Sequence, residues 1–482
     1  MTDYVSGKET SMSEQTAPAK NKVFGLASMI LFSVSAILVG DTIASSAAMG
    51  VQGLTFWIAL GVLFFIPYGF ITAELGAAWP DDGGIYVWVR EAFGQKWGTV
   101  TAWLYWVNVA LWAPSVFVLF LYSAGAAFGL TLPLWGEALV VIALIWFMVA
   151  VGVLPMKYSK WVPNLSAAVK IIVFLILGLA GVAAAIKNGG LANSFALKEW
   201  IPVFSFDNLS YLPIVIYSFM GFELMSSVGD SIHDPKRDVP KMIFGAGGAI
   251  LFIYMFATFG ILAVIPVDQI QIETGIVDAL RPAFESVLGA AAGPVFVVVA
   301  LGVLFTFIGN MVTWSIGANE SIAATGMDAA APGVFGHKHP KNGTPDYAFY
   351  LMGIIATVVT ILTYALFGAN EGIFWAIFSL SSVVFLLPYL LMFPTIVILR
   401  KKFPNQERPY TVPGGNAGAW IFAVLCELGV LFTLGLFFLA PPEGTPLGAF
   451  YAITVGGTVI SVAVGFWLYA HAKKAKTLKS AA

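Results

Sequence analysis

The sequence predicts an all-α membrane protein with twelve transmembrane helices. Fifty-nine per cent of its 482 residues are hydrophobic and only 10 per cent are charged, whereas soluble domains carry about 25 per cent charged residues. The mean hydropathy is +0.87, and a membrane-spanning helix needs about 20 mostly apolar residues. Twelve such segments, called spans 1 to 12, are centred near residues 36, 66, 112, 143, 175, 219, 254, 306, 357, 386, 429 and 459.

The Lys and Arg residues predict that both termini are cytoplasmic. With residue 1 inside, twenty of the 24 basic residues fall in inner loops and tails, and only Lys187, Lys198 and Arg281 fall outside. Cytoplasmic loops carry the excess of Lys and Arg in membrane proteins. Because the polar N-terminus has no signal-peptide pattern, we expect a multi-pass protein of the cell (inner, cytoplasmic) membrane.

Two spans are interrupted at mid-membrane depth. Span 1 contains Val39, Gly40, Asp41 and Thr42, and span 6 contains Phe219, Met220, Gly221, Phe222 and Glu223. Broken helices are tolerated at that depth only where they are buried in protein or line a water-filled cavity. Corresponding breaks in two halves are typical of transporters built from inverted repeats. We therefore predict a 5+5 inverted-repeat transporter fold with broken helices 1 and 6, plus two appended helices.

The span positions also predict the segment boundaries. Residues 1–22 form a cytoplasmic tail, residues 23–470 a single transmembrane transporter domain, and residues 471–482 a second cytoplasmic tail. Repeat one covers about 23–188, repeat two about 206–400, and helices 11 and 12 about 418–470. The outer segment 267–290 is amphipathic, and we expect it to form a short cap over an outer vestibule.

The two breaks form the predicted substrate site. Backbone amides freed at a break favour a carboxylate, and freed carbonyls favour a cation. An ionised Asp41 at the midplane costs on the order of 3 kcal/mol or more, so it needs a partner: the ammonium of a substrate, a proton or Lys170. Trp314 stands in a polar stretch of span 8, where its ring could stack on a ligand or simply pack in the core. The predicted substrate-binding residues are Val39, Gly40, Asp41, Thr42, Phe219, Met220, Gly221, Phe222 and Trp314.

Two ionisable residues are predicted to link protonation to gating. Glu223 stands beside the span 6 break, with the alternative that neighbouring hydroxyls hold it as a structural carboxylate. Lys170 lies about two turns into span 5, where a buried lysine can exchange a proton or take the place of a sodium ion. Its alternative is snorkelling to the cytoplasmic rim.

Enzyme chemistry has no support in the sequence. The chain contains neither a phosphate-binding loop nor a nucleophile elbow, and its four histidines do not form a metal-binding pattern. The single cysteine, Cys426, excludes an internal disulfide and is predicted to pack in a helix. We therefore expect no catalytic residue, cofactor, metal site or nucleic-acid partner.

Several motifs together resemble a known family. They are the Gly-Gly-aromatic segment at 80–89 after span 2, the Gly-aromatic-Glu break at 221–223, the loop 234–241, the segment 314–317 and the loop 408–415. These stretches are similar to the amino acid–polyamine–organocation (APC) superfamily, in particular its bacterial glutamate/gamma-aminobutyrate antiporter-like branch.

The resemblance implies a twelve-helix carrier that moves amino acids or amines by alternating access. It also implies that Gly221 to Glu223 face the substrate, that Trp314 gates or stacks, and that Lys170 takes the sodium position of proton-coupled relatives. The chain departs from the family pattern at Asn319-Glu320, where relatives commonly have Ser-Arg, and at Gly40-Asp41-Thr42, where the family usually has Gly-Ser-Gly or Gly-Ser-Ala. A carboxylate at that break would repel a carboxylate and favour a positively charged group.

The predicted function is therefore an amino acid/amine permease, a secondary active transporter that is proton-coupled and sodium-independent and prefers a substrate bearing a positive group. One alternative is an obligate exchanger of an amino acid for its decarboxylated amine. A second is a transporter-like nutrient sensor that binds without translocating, and an ion channel is a third. Expected partners are the substrate, protons and the lipid bilayer, and a homodimer is left open.

Overall fold

The computed structural model of the protein describes residues 22–368, 371–439 and 446–481. These ranges are helical, and the only β pairing within them is an isolated bridge between Phe24 and Ile232. Within these ranges, eleven helices are long and apolar enough to cross a membrane, or twelve if the bent pair in span 1 is one span. The predicted all-α, twelve-span architecture is confirmed. We call the side that carries residue 22 the terminal side, and the opposite side the far side.

The spans follow one another with short connections. Their helices are Leu26–Ile37 and Asp41–Ala48 (span 1), Gln52–Leu60, Gly61–Phe65 and Ile66–Ala78 (span 2), Gln95–Phe128 (span 3), Leu134–Val153 (span 4), Trp161–Asn188 (span 5), Phe206–Ser218 and Phe222–Ser231 (span 6), Pro235–Val264 (span 7), Ala292–Met327 (span 8), Asp346–Phe367 (span 9), Glu371–Lys402 (span 10), Gly415–Leu439 (span 11), and Leu447–Tyr451, Ala452–Gly456 and Gly457–Ala481 (span 12). Shorter helices are Ile85–Phe93, Met156–Ser159, Leu197–Trp200, Val267–Gln269, Gly275–Leu288 and Gly289–Ala291.

Span 1 is broken between Ile37 and Asp41. Leu38 leaves the helix in an extended conformation, and the two halves are bent by 54°. Val39 and Gly40 therefore lie in the break, whereas Asp41 and Thr42 begin the second half. A Cβ on Gly40 would lie 3.1 Å from Ile276 of the helix Gly275–Leu288, so close packing favours glycine there.

Span 6 is broken at the predicted position. Its first half ends at Ser218, and its second half, Phe222–Ser231, is a 3-10 helix rather than an α-helix. Gly221 has a φ of 128°, a conformation that glycine adopts without steric cost. An added Cβ would also lie 3.1 Å from both Ile37 and Trp314. Gly221 thus permits both the turn and the close approach of spans 1 and 8.

The connections after spans 2 and 7 match an inverted repeat. Ile85–Phe93 follows span 2 on the terminal side, and Gly275–Leu288 follows span 7 on the far side. These helices occupy corresponding places in the two halves on opposite sides of the molecule. The far-side helix is amphipathic and packs over the span 1 break through Ile276, as expected for the predicted cap.

The helix ends can be set beside the predicted segment boundaries. Span 5 ends at Asn188 and span 10 at Lys402, where the predicted repeats end at about 188 and 400. The last helix continues to Ala481, so the predicted tail 471–482 is helical as far as residue 481. The predicted tail 1–22 lies outside the described residues except for residue 22.

A buried carboxylate joins span 2 to span 10 on the terminal side. Glu74 is fully buried and accepts hydrogen bonds from both ends of the Arg400 guanidinium, with Nε at 2.8 Å from Oε1. The Val412 amide donates to Oε2 at 2.7 Å, and Arg408 Nε lies 3.4 Å from Oε1. Glu74 therefore fastens the loop between spans 10 and 11 to the end of span 2.

Candidate functional site

A tyrosine of span 2 holds the amides of the span 6 break. The amides of Gly221 and Phe222 donate to Tyr68 Oη at 3.0 and 2.9 Å, and the Tyr68 hydroxyl donates to Glu223 Oε2. One hydroxyl thus satisfies two N–H groups that the broken helix leaves without partners. In this conformation these two amides are occupied by the protein and do not face a ligand freely.

A tyrosine of span 7 does the same at the span 1 break. The Val39 amide donates to Tyr254 Oη at 2.9 Å. The Tyr254 oxygen lies 2.5 Å from Ile37 O and 3.2 Å from Ser218 O, and its single proton serves one of these carbonyls at a time. Tyr254 therefore bridges the two breaks, and spans 2 and 7, which correspond in the two halves, each supply one capping hydroxyl.

Glu223 is the meeting point of four spans. Its side chain is fully buried, and the hydroxyls of Tyr105 and Tyr389 each lie 2.6 Å from Oε1, while Tyr68 donates to Oε2. An ionised carboxylate is acceptor-only and suits three hydroxyl donors. A protonated carboxyl would also fit if one tyrosine reversed its hydroxyl, so the geometry accommodates both predicted roles of Glu223.

Lys170 is buried and does not snorkel. The side chain is 1 per cent exposed, and Nζ donates to Ser35 O at 2.6 Å and to Asn310 Oδ1 at 3.0 Å. The ammonium thereby joins span 5 to spans 1 and 8. Hard metal cations also prefer oxygen ligands, and the predicted replacement of a sodium ion by Lys170 stays a prediction.

Trp314 lies against the span 6 break and belongs to a closed circuit of four rings. Its Nε1 donates to Ala36 O at 3.0 Å. Ring centroids are 6.0 Å apart for Trp112 and Trp314, 5.2 Å for Trp314 and Phe385, 5.2 Å for Phe385 and Tyr217, and 5.9 Å for Tyr217 and Trp112. We call these four residues, from spans 3, 6, 8 and 10, the aromatic circuit. Faces of such rings attract ammonium and guanidinium groups.

The side chains of Phe219 and Phe222 pack against span 2. Both rings stack on the ring of Phe65, with centroids 4.4 and 4.7 Å away, and both are buried. Met220 is buried as well. The backbone of these three residues lies at the break, whereas their side chains are buried in the core between spans.

The span 1 break carries two polar side chains, those of Asp41 and Thr42. Thr42 is buried, its hydroxyl donates to Val39 O at 3.0 Å, and it lines a narrow gap on the far side of the break. Asp41 begins the second half of span 1, but its side chain lies outside the described residues. The prediction that Asp41 binds an ammonium therefore stays a prediction.

Two cavities lie beside the far-side ends of spans 3 and 4. A vestibule of about 620 Å³ is lined by Tyr122, Glu137, Glu273 and neighbours from spans 3 and 4. A smaller cavity of about 40 Å³ shares Tyr122 and Glu137 and extends to Ser115 of span 3. Two carboxylates at this entrance favour the approach of cations.

On the terminal side, a polar cluster attaches the helix Ile85–Phe93 to the end of span 8. The Tyr86 hydroxyl donates to Asp328 Oδ2 at 2.6 Å, and the Arg90 guanidinium donates to the same oxygen. Burial, together with the hydrogen bond to Asp328, raises the pKa of Tyr86 well above its ordinary value. Tyr86 therefore stays a neutral donor to Asp328 across physiological pH.

Sequence reasoning missed most of the residues that assemble this site. Trp314, Glu223 and Lys170 were identified from their positions, whereas Tyr68, Tyr105, Tyr254 and Tyr389 were not. The only available signal was a tyrosine near the middle of an apolar span, because a buried tyrosine hydroxyl needs a hydrogen-bond partner.

Two broken helices that meet at a buried, aromatic-lined centre between packed spans are typical of membrane transporters. The family description for amino acid permeases matches residues 23–461. The chain therefore belongs to the amino acid permease family, and it is a transporter rather than an enzyme.

Relatives of the chain include transporters of amines and amino acids. It is 33 per cent identical to the probable agmatine/putrescine antiporter AguD of Lactococcus lactis, over 91 per cent of this chain and 93 per cent of the relative. It is 26 per cent identical to a glutamate/gamma-aminobutyrate antiporter of the same species, covering 80 and 78 per cent. A probable polyamine transporter of Arabidopsis thaliana is 25 per cent identical, covering 84 and 77 per cent.

The fold also matches a solved structure. A manganese transporter of Eremococcus coleocola superposes with a TM-score of 0.61 at 13 per cent identity, covering 93 per cent of this chain and 94 per cent of the other. At that identity the similarity concerns the fold alone.

Proposed function

We propose that this protein carries cationic amines or basic amino acids across the cell membrane by alternating access. The observation that carries the proposal is the aromatic circuit beside the span 6 break, because its rings can face an ammonium or guanidinium group. Substrate would enter from the far-side vestibule with Glu137 and Glu273 and reach Trp314 between the two breaks.

The capped breaks favour cationic amines over basic amino acids, because only the amino acids carry a carboxylate. The amides of Val39, Gly221 and Phe222 are bound by tyrosine hydroxyls, so a substrate carboxylate would have to displace them. The carboxylate of Asp41 in the sequence would likewise favour an ammonium. Agmatine and putrescine, named for one relative, are cations of this kind.

Glu223 and Lys170 are the proposed coupling residues. A proton or counter-substrate drives transport only if its affinity differs between the inward- and outward-facing states. Glu223 holds spans 2, 3, 6 and 10 through three tyrosines, so a change in its protonation would alter contacts of all four. Because Lys170 Nζ occupies the oxygens of Ser35 and Asn310, we expect transport without sodium.

The test is uptake of labelled putrescine, agmatine, arginine and leucine into sodium-free proteoliposomes. We expect accumulation of the cations and little of leucine, stimulated either by a proton gradient or by preloaded amine. Uptake only with preloaded amine would assign the obligate exchanger. Binding without uptake would assign the sensor, and selective leucine uptake would contradict the cation proposal.

We further propose that the terminal side is cytoplasmic. The chain has one cysteine, Cys426, which is buried, so a single new cysteine can be labelled selectively. Lys187 on the far side and Lys401 on the terminal side are both exposed. In intact cells a membrane-impermeant maleimide should label Lys187→Cys and not Lys401→Cys, and the reverse pattern would invert the topology.

A further inference from the structure

Span 3 carries four buried polar atoms that have no hydrogen-bond partner within the described residues, and one of them is Thr101 Oγ1. The other three are Oδ1 and Nδ2 of Asn108 and Nε1 of Trp112, and the side chains of Asn108 and Trp112 are both 1 per cent exposed. Nearly all buried polar groups in native proteins are paired with protein or with water. An unpaired one is unfavourable, so the three of Asn108 and Trp112 call for a ligand or ordered water.

These three atoms lie on the face of span 3 that turns toward the candidate site. Tyr105, Asn108 and Trp112 are spaced three and four residues apart, which places them on one face of a helix. At one end of this face Tyr105 binds Glu223, and at the other end the Trp112 ring contacts Tyr217 and Trp314. Asn108 therefore lies between the Glu223 cluster and the aromatic circuit.

Two other tryptophans of span 3 show that the missing partner is specific to this face. Trp103 Nε1 donates to Ser461 O at 2.8 Å, and Trp106 Nε1 donates to Asn319 Oδ1 at 2.8 Å. Both indoles face other spans and are satisfied there. The unpaired indole of the three is the one beside the candidate site.

We propose that Asn108 and Trp112 form a polar subsite for the distal amine or guanidinium of an extended cationic substrate. This inference rests on the proposed function. Asn108 Oδ1 accepts a hydrogen bond from the distal N–H group, while the rings of the aromatic circuit face the positive charge. The Asn108 amide N–H and the Trp112 indole N–H bind water that enters with the substrate.

This subsite selects substrates by what they carry at their far end. Putrescine has a second ammonium that can reach Asn108, whereas n-butylamine, which has the same four carbons, ends in a methyl group. A methyl group would leave the Asn108 oxygen unpaired, and a site built to hydrogen-bond a polar group rejects an analogue that lacks it. The wild-type protein should therefore bind putrescine more tightly than n-butylamine.

The experiment measures competition of putrescine and n-butylamine against labelled agmatine, together with the melting temperature of the ligand-free protein in detergent. Asn108→Leu keeps the approximate volume and removes the unpaired amide, so the ligand-free melting temperature should stay equal or rise. Putrescine affinity should fall about tenfold, and n-butylamine affinity should not fall. Trp112→Phe keeps a ring and removes the indole N–H, and it should weaken putrescine without lowering the melting temperature.

Trp103→Phe is the matched control. This substitution removes the hydrogen bond from the Trp103 indole to Ser461 O, which lies away from the candidate site. The melting temperature should therefore fall, while the ratio of putrescine to n-butylamine affinity should stay that of the wild type. The subsite is overturned if Asn108→Leu and Trp112→Phe leave that ratio unchanged, or if both lower the melting temperature as Trp103→Phe does. Failure of wild-type protein to bind any of the three amines would instead refute the proposed function.

Discussion

The tyrosine hydrogen bonds to Glu223 allow a quantitative prediction about gating. Tyr389→Phe removes one hydroxyl that lies 2.6 Å from Oε1 and keeps the ring, which packs 5.1 Å from Phe385. A hydrogen bond to a charged group contributes about 1.5–3 kcal/mol. The equilibrium that holds span 10 against span 6 should therefore shift by roughly 10- to 150-fold.

Substitutions of the other two tyrosines that bind Glu223 show how the effect depends on the number of hydrogen bonds lost. Tyr105→Phe removes a bond of the same length to the same oxygen, so its effect should be similar. Tyr68→Phe removes a donor to Glu223 and also the acceptor of the Gly221 and Phe222 amides. Because three bonds are lost, Tyr68→Phe should reduce both the exchange rate and the melting temperature more than either other variant.

A double-mutant cycle with Glu223→Gln tests whether these effects act through the carboxylate. Exchange in proteoliposomes and thermal unfolding are measured for Tyr389→Phe, Glu223→Gln and the pair. Residues in one hydrogen-bond network show interaction energies of about 0.5–3 kcal/mol. Additive effects, within about 0.5 kcal/mol, would refute the reasoning that Tyr389 acts through Glu223.

Three further predictions concern the framework around the site. Glu74→Gln leaves two guanidinium groups beside a buried neutral amide, so thermal unfolding should show a loss of stability of about 3–5 kcal/mol. A loss below about 1 kcal/mol would contradict this prediction. Lys170→Met leaves Ser35 O and Asn310 Oδ1 without the ammonium that binds them. The exchange rate in proteoliposomes should therefore fall at least about tenfold. An unchanged exchange rate would remove Lys170 from the coupling proposal. Gly221→Ala forces a Cβ to 3.1 Å from Ile37 and Trp314 at a φ of 128°. The strain is on the order of 1–3 kcal/mol, so the melting temperature and the exchange rate should both fall. A stable, active variant would contradict this and would show that the break relaxes.

Much of the architecture could be predicted because it depends on local composition. Apolar length is sufficient to locate a spanning helix, which is why the predicted centres fall inside the observed spans. The break in span 6 was recognisable from Gly221, and its φ of 128° explains why glycine stands there. The sequence also placed Lys170 inside span 5, with snorkelling as the alternative. Only the structure excludes snorkelling, because Nζ donates to Ser35 O and Asn310 Oδ1.

The partners of the site residues depended on tertiary structure. Tyr68 lies 155 positions from Glu223, Tyr105 lies 118 away and Tyr389 lies 166 away, and no periodicity within one span indicates which face will meet another. The same limit applies to Phe219 and Phe222, because the sequence did not indicate that their side chains stack on Phe65. Hydropathy determined that these helices lie in the membrane because lipid selects for apolar length. Their packing decided which polar atoms meet, because a buried polar side chain that has no partner in its own helix must find one on another helix or on a ligand.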